Sequence, residues 1–557
     1  MRTNFRKNVA LLLTAIICIG LVAACAPQTP EAPETPETTS PAPAELAPAP
    51  DEITVEAAAP AEGANLAEHI NVVGMLSDIN VLNPTIPGAS MESAWIMGML
   101  TDRLIEIYGP NDFRPGLALS WETDDHKTIR FNLRPDVLWH NGERFTADDV
   151  AFTMEIAHAN PGGTSWTVFR DVTEVNVVDD LTIELTFAAI NIDFEMTFAG
   201  WASGILSRVE YAARPDDPLW ATVGTGPFKL AGFQAANFTT VERFDGFWGE
   251  LAPTQRVTFW SIPEMATRMT MLQAGELQVV TMLNTEDLDN LIDNPNFNLI
   301  RDPVHMPYYL SFNNQGDDIM MDLNFRLAVA HALNLDDVAI VANGNWASAW
   351  PSGSLWGQRT PYFRTDLPVR EFNLDLARQY LEASVWNGEQ IDMVATPGIF
   401  ARGAEMVQMQ LSNLGIDVNI DIMDVPSYAA AFAFGREHQQ GRQMHLFQMG
   451  FGPTVLAGRS ILYPDNVTNR INLNSDFVTE RFDILATETN PGVQRQLALE
   501  MQQYLYDNLV AIPLFQIVQG IATAPGVGGM HLWGDSFRYN MRGIYWDLNQ
   551  TPEHLMP

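Results

Sequence analysis

The chain has 557 residues, with 31 Lys+Arg against 68 Asp+Glu for a formal charge of -37, and 46% of it is hydrophobic. So acidic a surface repels phosphate backbones and anionic headgroups, which excludes nucleic acid and electrostatic membrane adhesion as partners. At roughly 100–200 residues per domain the length calls for several domains, and 14 Trp with 29 Phe exclude a chain that is disordered throughout.

Arg2, Arg6 and Lys7 precede an apolar run from Val9 to Val22. That run falls short of the roughly 20 residues a membrane-spanning helix needs and ends in small residues, as export signals do. Leu21-Val22-Ala23-Ala24-Cys25 resembles a bacterial lipobox. The resemblance implies cleavage after residue 24 and a diacylglycerol thioether on Cys25; an ordinary secretory signal is the alternative. The only other cysteine, Cys18, lies inside the apolar run, so the body has neither a disulfide framework nor a Cys-based zinc site. Residues 25–67 are rich in Pro, Ala, Glu and Thr, and such a stretch predicts a disordered, extended tether.

Beyond the tether, Ile129, Phe131 and Leu133 alternate with polar residues, as do Leu181, Ile183, Leu185 and Phe187. Period two predicts half-exposed antiparallel strands. One helix is expected over 325–341 and another over 373–384. Ile391 to Thr396 reads as a strand, Ala401 to Leu414 as a helix stopped by Gly415, and Ile416 to Ile422 as the next strand. That unit favours parallel pairing. A helix over 493–509 leads into a strand at Ala511-Ile512-Pro513-Leu514-Phe515. The fold class is therefore α/β with an α+β portion.

Catalytic and metal motifs are lacking. No glycine-rich dinucleotide or phosphate loop, no His-Glu-x-x-His and no Gly-x-Ser-x-Gly occurs. His438 and His445 read as solvated loop histidines, and His331 as a packed helical residue. Asp148-Asp149 after Thr146 read as helix-start acids favoured by the macrodipole. No catalytic residue, metal site or cofactor is expected, and the chain is not read as an enzyme.

Several segments, in order, resemble one family. They are Leu82-Asn83-Pro84, Pro115-Gly116-Leu117-Ala118-Leu119-Ser120-Trp121 and Phe131-Asn132-Leu133-Arg134. The block from Val137-Leu138-Trp139-His140-Asn141-Gly142 through Thr146-Ala147-Asp148-Asp149-Val150 follows. Then come Gly224-Thr225-Gly226-Pro227-Phe228, Phe244-Asp245-Gly246-Phe247-Trp248-Gly249, Leu310-Ser311-Phe312-Asn313-Asn314 and Arg326-Leu327-Ala328-Val329-Ala330-His331-Ala332-Leu333. Together they resemble the substrate-binding proteins of peptide/nickel-type ABC importers, solute-binding family 5 or cluster C.

The resemblance implies a two-lobed periplasmic-binding-protein-like fold of type II with an extra α+β domain packed on lobe I. Lobe I would take 68–107, 218–312 and 516–557, the extra domain 108–217 and lobe II 313–515, with signal and tether at 1–24 and 25–67. The implied function is capture of a di- or oligopeptide between the lobes, by hinge closure, and delivery to ABC permease subunits. The protein would be an extracytoplasmic monomer that meets the membrane only through its lipid. A chemosensory binder is the alternative.

Peptide-binding members place an aspartate a few residues after a Gly-Trp pair to hold the peptide ammonium. Here the stretch is Met449-Gly450-Phe451-Gly452-Pro453-Thr454, with Phe451 at the tryptophan position and Thr454 nearest the aspartate. No acid lies between Gly450 and Gly458, so an oligosaccharide, siderophore or metal chelate stays open beside a peptide. Trp346, Trp350 and Trp356 in a Gly/Ser/Pro-rich loop are further ligand candidates, the alternative being that they pin that loop to the body. Gly224, Thr225 and Trp533 are candidates too, with a structural turn the alternative for the Gly224-Thr225 stretch.

Overall fold

The computed structural model describes residues 59–73, 79–88, 91–109, 112–200, 202–281, 283, 285–292, 294–303, 306–358, 360, 362–424, 427–428, 431–432, 442–448, 455–464, 466, 469–532 and 539–556. Cys25, residues 25–58 of the expected tether, His438, Phe451, Thr454 and Trp533 lie outside them. The last residues of the expected tether differ from a disordered stretch: the Asn65 N–H donates to Asp547 Oδ1 and the buried Ala67 N–H donates to the Trp546 carbonyl, which fixes the chain before the first strand to its C-terminal segment.

In chain order, strand β1 (His69–Val73) is followed by helix α1 (Met91–Leu100). Next come β2 (Ala118–Glu122), β3 (Thr128–Leu133), α2 (Ala147–Ala159), β4 (Val172–Asp179) and β5 (Thr182–Phe187). Strands β2-β3-β5-β4 form a four-stranded sheet of their own. β3 and β5 pair antiparallel and alternate between half-buried and buried positions. Ile129, Phe131, Leu133, Ile183, Leu185 and Phe187 therefore share one inner face. This is the period-two pattern expected from the sequence.

α2 starts at the expected acids. Asp149 is buried, and its carboxylate accepts from the Thr146 and Arg208 backbone N–H groups and from the Trp139 indole. Burial raises its pKa while these donors oppose the rise.

The chain then forms β6 (Phe228–Gln234), β7 (Phe238–Arg243), β8 (Arg256–Trp260), α3 (Met265–Gln273), β9 (Val279–Val280), α4 (Thr285–Leu291) and β10 (Asn298–Pro303). After β11 (Tyr308–Phe312) the expected 325–341 helix is two. α5 (Leu323–Ala332) ends at an extended Leu333, and α6 (Leu335–Asn343) is capped by Asn334, whose side chain accepts from the Asp336 and Asp337 N–H groups. The cap satisfies donors that a continuing helix would have paired internally.

The rest runs β12 (Ala347–Ala349), α7 (Leu374–Glu382), β13 (Ile391–Ala395), α8 (Ile399–Ser412), β14 (Val418–Ile422), β15 (Met444–Gln448), α9 (Pro491–Asp507) and β16 (Ala511–Thr523). β13 and β14 pair in parallel around α8, as expected. Gly415, at φ 82°, follows the helix in the left-handed region that glycine adopts without penalty.

These strands form one twelve-stranded sheet, ordered β14-β13-β15-β11-β16-β9-β1-β8-β7-β6, with β10 and β12 also paired to β16. The protein is thus α/β and two-lobed: β9-β1-β8-β7-β6 belong to the first lobe, β14-β13-β15-β11 to the second, and β16 runs through both. In the second lobe α5 to α8 share a core with one sheet face, and α9 packs on the other.

His445 differs from its expected place on a solvated loop. It lies on β15, buried among Phe432, Phe447 and Tyr428. His331 is packed as expected; its Nδ1 donates to the Glu371 carbonyl and its ring stacks on Tyr380.

Candidate functional site

Strand directions locate the site. β15 is parallel to β13 and antiparallel to β11, which is antiparallel to β16, so β13, β15 and β16 run the same way. β9 is antiparallel to β16, and β1 is parallel to both β9 and β8, so this trio runs the opposite way. β16 pairs with β11 through Ala511–Phe515 and with β10 through Val518–Thr523. The carboxyl ends of β13 and β15 consequently point toward the first lobe. Those of β1, β8 and β9 point back toward the second.

Each set also contains a topological switch. β13 has β14 on one side and β15 on the other; β1 has β8 on one side and β9 on the other. Adjoining connections leave a switch strand in opposite directions and open a crevice at its carboxyl end. Two such crevices face one another here across the crossing at Gln516–Ile517.

On the second-lobe side, Tyr308 stacks on Phe515 with ring centroids 4.8 Å apart and packs on Phe400, in the first turn of α8, at 5.0 Å. Burial pushes the Tyr308 hydroxyl above the ordinary phenol range. Gln448 ends β15 opposite Tyr308, and Gln516 lies next to Phe515. Gln448 Nε2 and Gln516 Oε1 are shielded from solvent without a hydrogen-bond partner among the described residues. Gln516 Nε2 donates to Ser348 Oγ at 3.3 Å. On the first-lobe side, the Trp260 indole at the end of β8 donates to Asn71 Oδ1 at 3.0 Å. Tyr308 and Phe515 belong to the second-lobe core, and the strand ends beside them carry the neutral amides of Gln448 and Gln516, groups suited to a polar solute held without covalent chemistry. Periodicity gives no signal for Tyr308, Gln448 or Gln516, because all three become neighbours only through strand register.

The tryptophans of the 346–356 loop are buried and each has separate surroundings. Trp346 is 2% exposed and donates to Asp289 Oδ1 at 2.7 Å. Trp350 donates to the Ser354 carbonyl and meets Phe363 edge-on. Trp356 sits in the core beneath α9.

Gly224 and Thr225 lie where the chain passes the end of α1. A Cβ on Gly224 would stand 1.8 Å from the Leu100 carbonyl oxygen, so only glycine fits. Thr225 is buried and donates to Asp102 Oδ2 at 3.0 Å. The Trp248 indole donates to the same oxygen at 2.8 Å, and Arg542 Nη1 lies 2.8 Å from Oδ1. Arg542 also donates to the Gly98 and Thr101 carbonyls, and the Arg103–Glu106 pair lies alongside. His140 closes the same junction, accepting at Nδ1 from Gly224 N–H and donating from Nε2 to the Gly226 carbonyl. Burial lowers its pKa to about 4.

Residues 112–472 match the family model of bacterial extracellular solute-binding proteins, family 5 Middle. The chain belongs to that family. The resemblance seen in the sequence is thereby borne out. Family 5 proteins bind small-molecule or peptide ligands and work with ABC permeases; they are solute binders and not enzymes.

The chain is similar to the dipeptide-binding protein of Escherichia coli, 29% identical over 376 residues that cover 61% of this chain and 69% of that one. Its fold is similar to the ABC transporter substrate-binding protein CtaP of Listeria monocytogenes, with TM-score 0.77 at 19% identity, covering 87% of this chain and 100% of that one. It is also similar to DppA of Helicobacter pylori in complex with the peptide STSA, with TM-score 0.69 at 21% identity, covering 86% and 98%. Among the described residues no helix is long and apolar enough to cross a membrane.

Proposed function

We propose that the protein captures a peptide in the crevice between its lobes and delivers it to an ABC permease by hinge closure. The observation that supports this reading is the pair of strand-end crevices facing each other across β10–β11 and β16. Bending at two crossing segments is a known route to domain closure, and burial between the lobes supplies affinity. In this reading lobe I takes 68–107, 218–312 and 516–557, the extra domain 108–217 and lobe II 313–515. The core around Phe131, Ile183 and Phe198, which also takes in Leu104, Ile105 and Ile107, supports an extra domain packed on lobe I.

Phe451, Thr454 and Trp533 would complete the ligand contacts with Tyr308, Gln448 and Gln516. With threonine at position 454 and no acid between Gly450 and Gly458, a peptide would be held chiefly by main-chain hydrogen bonds and aromatic contact. That same absence of a carboxylate favours, as a second reading, a non-peptide polar solute.

A thermal-shift series with alanine di- to pentapeptides and with malto-oligosaccharides separates the two readings. A one-site ligand at 100 times its Kd should stabilise the protein by about 2.7 kcal/mol. Gln448→Ala and Gln516→Ala should each weaken that ligand roughly tenfold, equivalent to about 1.4 kcal/mol. A shift with the saccharides and none with any peptide would reject the peptide reading.

The body would work as a monomer outside the cytoplasm, tied to the membrane by lipid on Cys25 through the Pro/Ala/Glu/Thr-rich segment that precedes Asn65. Cys25→Ser should release the protein from the membrane fraction of expressing cells. Undiminished membrane retention of that variant would refute the anchor.

A further inference from the structure

We propose that Trp346 is a positioning residue that pins the second lobe to the first and sets the angle at which the ligand-free lobes rest. The chain between α6 and β12 changes cores within a few residues. Val338, Ala339 and Ala342 of α6 lie in the core of the second lobe. Trp346, four residues on, is in a different core, with Val73 at the end of β1, Val280 of β9, Leu288 and Leu291 of α4, and Ala522 of β16. β12 then returns along Phe515–Ile517, the middle of the crossing strand.

Three polar contacts tie this excursion to the first lobe. The Trp346 indole N–H donates to Asp289 Oδ1 at 2.7 Å on α4. The Arg301 guanidinium of β10 lies over the Trp346 ring, 4.9 Å from its centroid. Thr285 Oγ1, at the start of α4, donates to Asn343 Oδ1 at 2.8 Å, at the end of α6. Gly344 stands between the two ties at φ 58°, a conformation that leaves the chain free to turn from α6 into the pin.

Besides the crossing strands β10–β11 and β16, the lobes therefore have a third, non-covalent connection. An indole 98% buried and hydrogen-bonded at its tip resists withdrawal, so lobe rotation must be taken up at Gly344 and along β12 rather than by sliding of this contact. The inference rests on the two-lobed closure proposed above, but its test needs no ligand.

The native cysteines are Cys18 and Cys25 alone, so with both replaced by serine, nitroxide labels at Leu251→Cys and Met409→Cys report the interlobe distance. These positions are 45% and 54% exposed, on the first and second lobe respectively. In ligand-free protein Trp346→Phe and Asp289→Ala should each broaden the distance distribution and displace its mean. The double variant should do no more than either alone, since both remove one contact. Asp289 is a solvent-exposed helix residue, so its variant folds even if the Trp346 variant does not. A lowered melting temperature with an unchanged distance distribution would reduce Trp346 to an ordinary core residue and overturn the proposal. A wild-type distribution that ignores every tested peptide would instead count against the peptide reading and leave the ligand-free result to decide the pin.

Discussion

Asp102→Ala is expected to destabilise the first lobe by about 3–5 kcal/mol, the usual result of removing one partner from a buried ion pair. The carboxylate is fully buried and holds Arg542, the Thr225 hydroxyl and the Trp248 indole together. Alanine leaves a guanidinium that is only 17% exposed with Glu106, at 3.6 Å, as its remaining acidic partner among the described residues. Glu106 already sits beside buried Arg103. Differential scanning calorimetry should show one transition moved down by on the order of 10 °C. Asp102→Asn keeps an acceptor for Thr225 and Trp248 and should lose less. An unshifted thermogram for Asp102→Ala would mean that this junction does not hold the lobe together.

The second large effect is a loss of stability in acid caused by His445. Burial holds its pKa down to about 3, with Arg470 and Arg442 adding to the depression. A pKa lower in the folded state means that the unfolded chain binds the proton first. The neutral ring's contribution is therefore complete above about pH 6.5 and is lost as pH falls through the window toward about 3. At pH 5 the loss should be about 2 kcal/mol from this residue alone. His140, lowered to about 4, acts in the same direction. Asp149, raised by burial, acts in the opposite one. Comparing urea midpoints at pH 7.5 and pH 5 for wild type and His445→Leu isolates the term, because the carboxylates titrate alike in both. The leucine variant should lose less on acidification. Equal losses would show that His445 is not the group responsible.

Elements whose pattern is local were legible in the sequence. β3 and β5 alternate because a sheet with one buried face demands period two. α8 repeats its apolar residues at helical spacing and ends at Gly415. The Asn334 break between α5 and α6 also has a local signal, an Asn followed by Leu335-Asp336-Asp337, which apolar periodicity alone passes over. His445 was misplaced because a polar ring beside Gln- and Gly-rich sequence reads as loop; β-pairing with Ser311 buried it. The loop tryptophans illustrate the same limit. Composition marks Trp346 as a large ring in need of a partner, but the partner, Asp289, comes from a helix 57 residues away in the chain.

The acidic, nearly cysteine-free composition that excluded nucleic acid and disulfides, and the ordered run of motifs that pointed to family 5, needed no coordinates. Charge and cysteine content are sums over the chain, and the motifs are contiguous or nearly so. Tertiary structure decided the rest. Where the crevice lies follows from the directions of β1, β8 and β9 against β13 and β15, which depend on pairing through β16 between residues hundreds of positions apart. The environment of Gly224 and Thr225, the burial of His445 and the seat of Trp346 were decided in the same way. Each is set by what approaches from elsewhere in the chain, and hydrophobic burial, being non-directional, does not write that into local sequence.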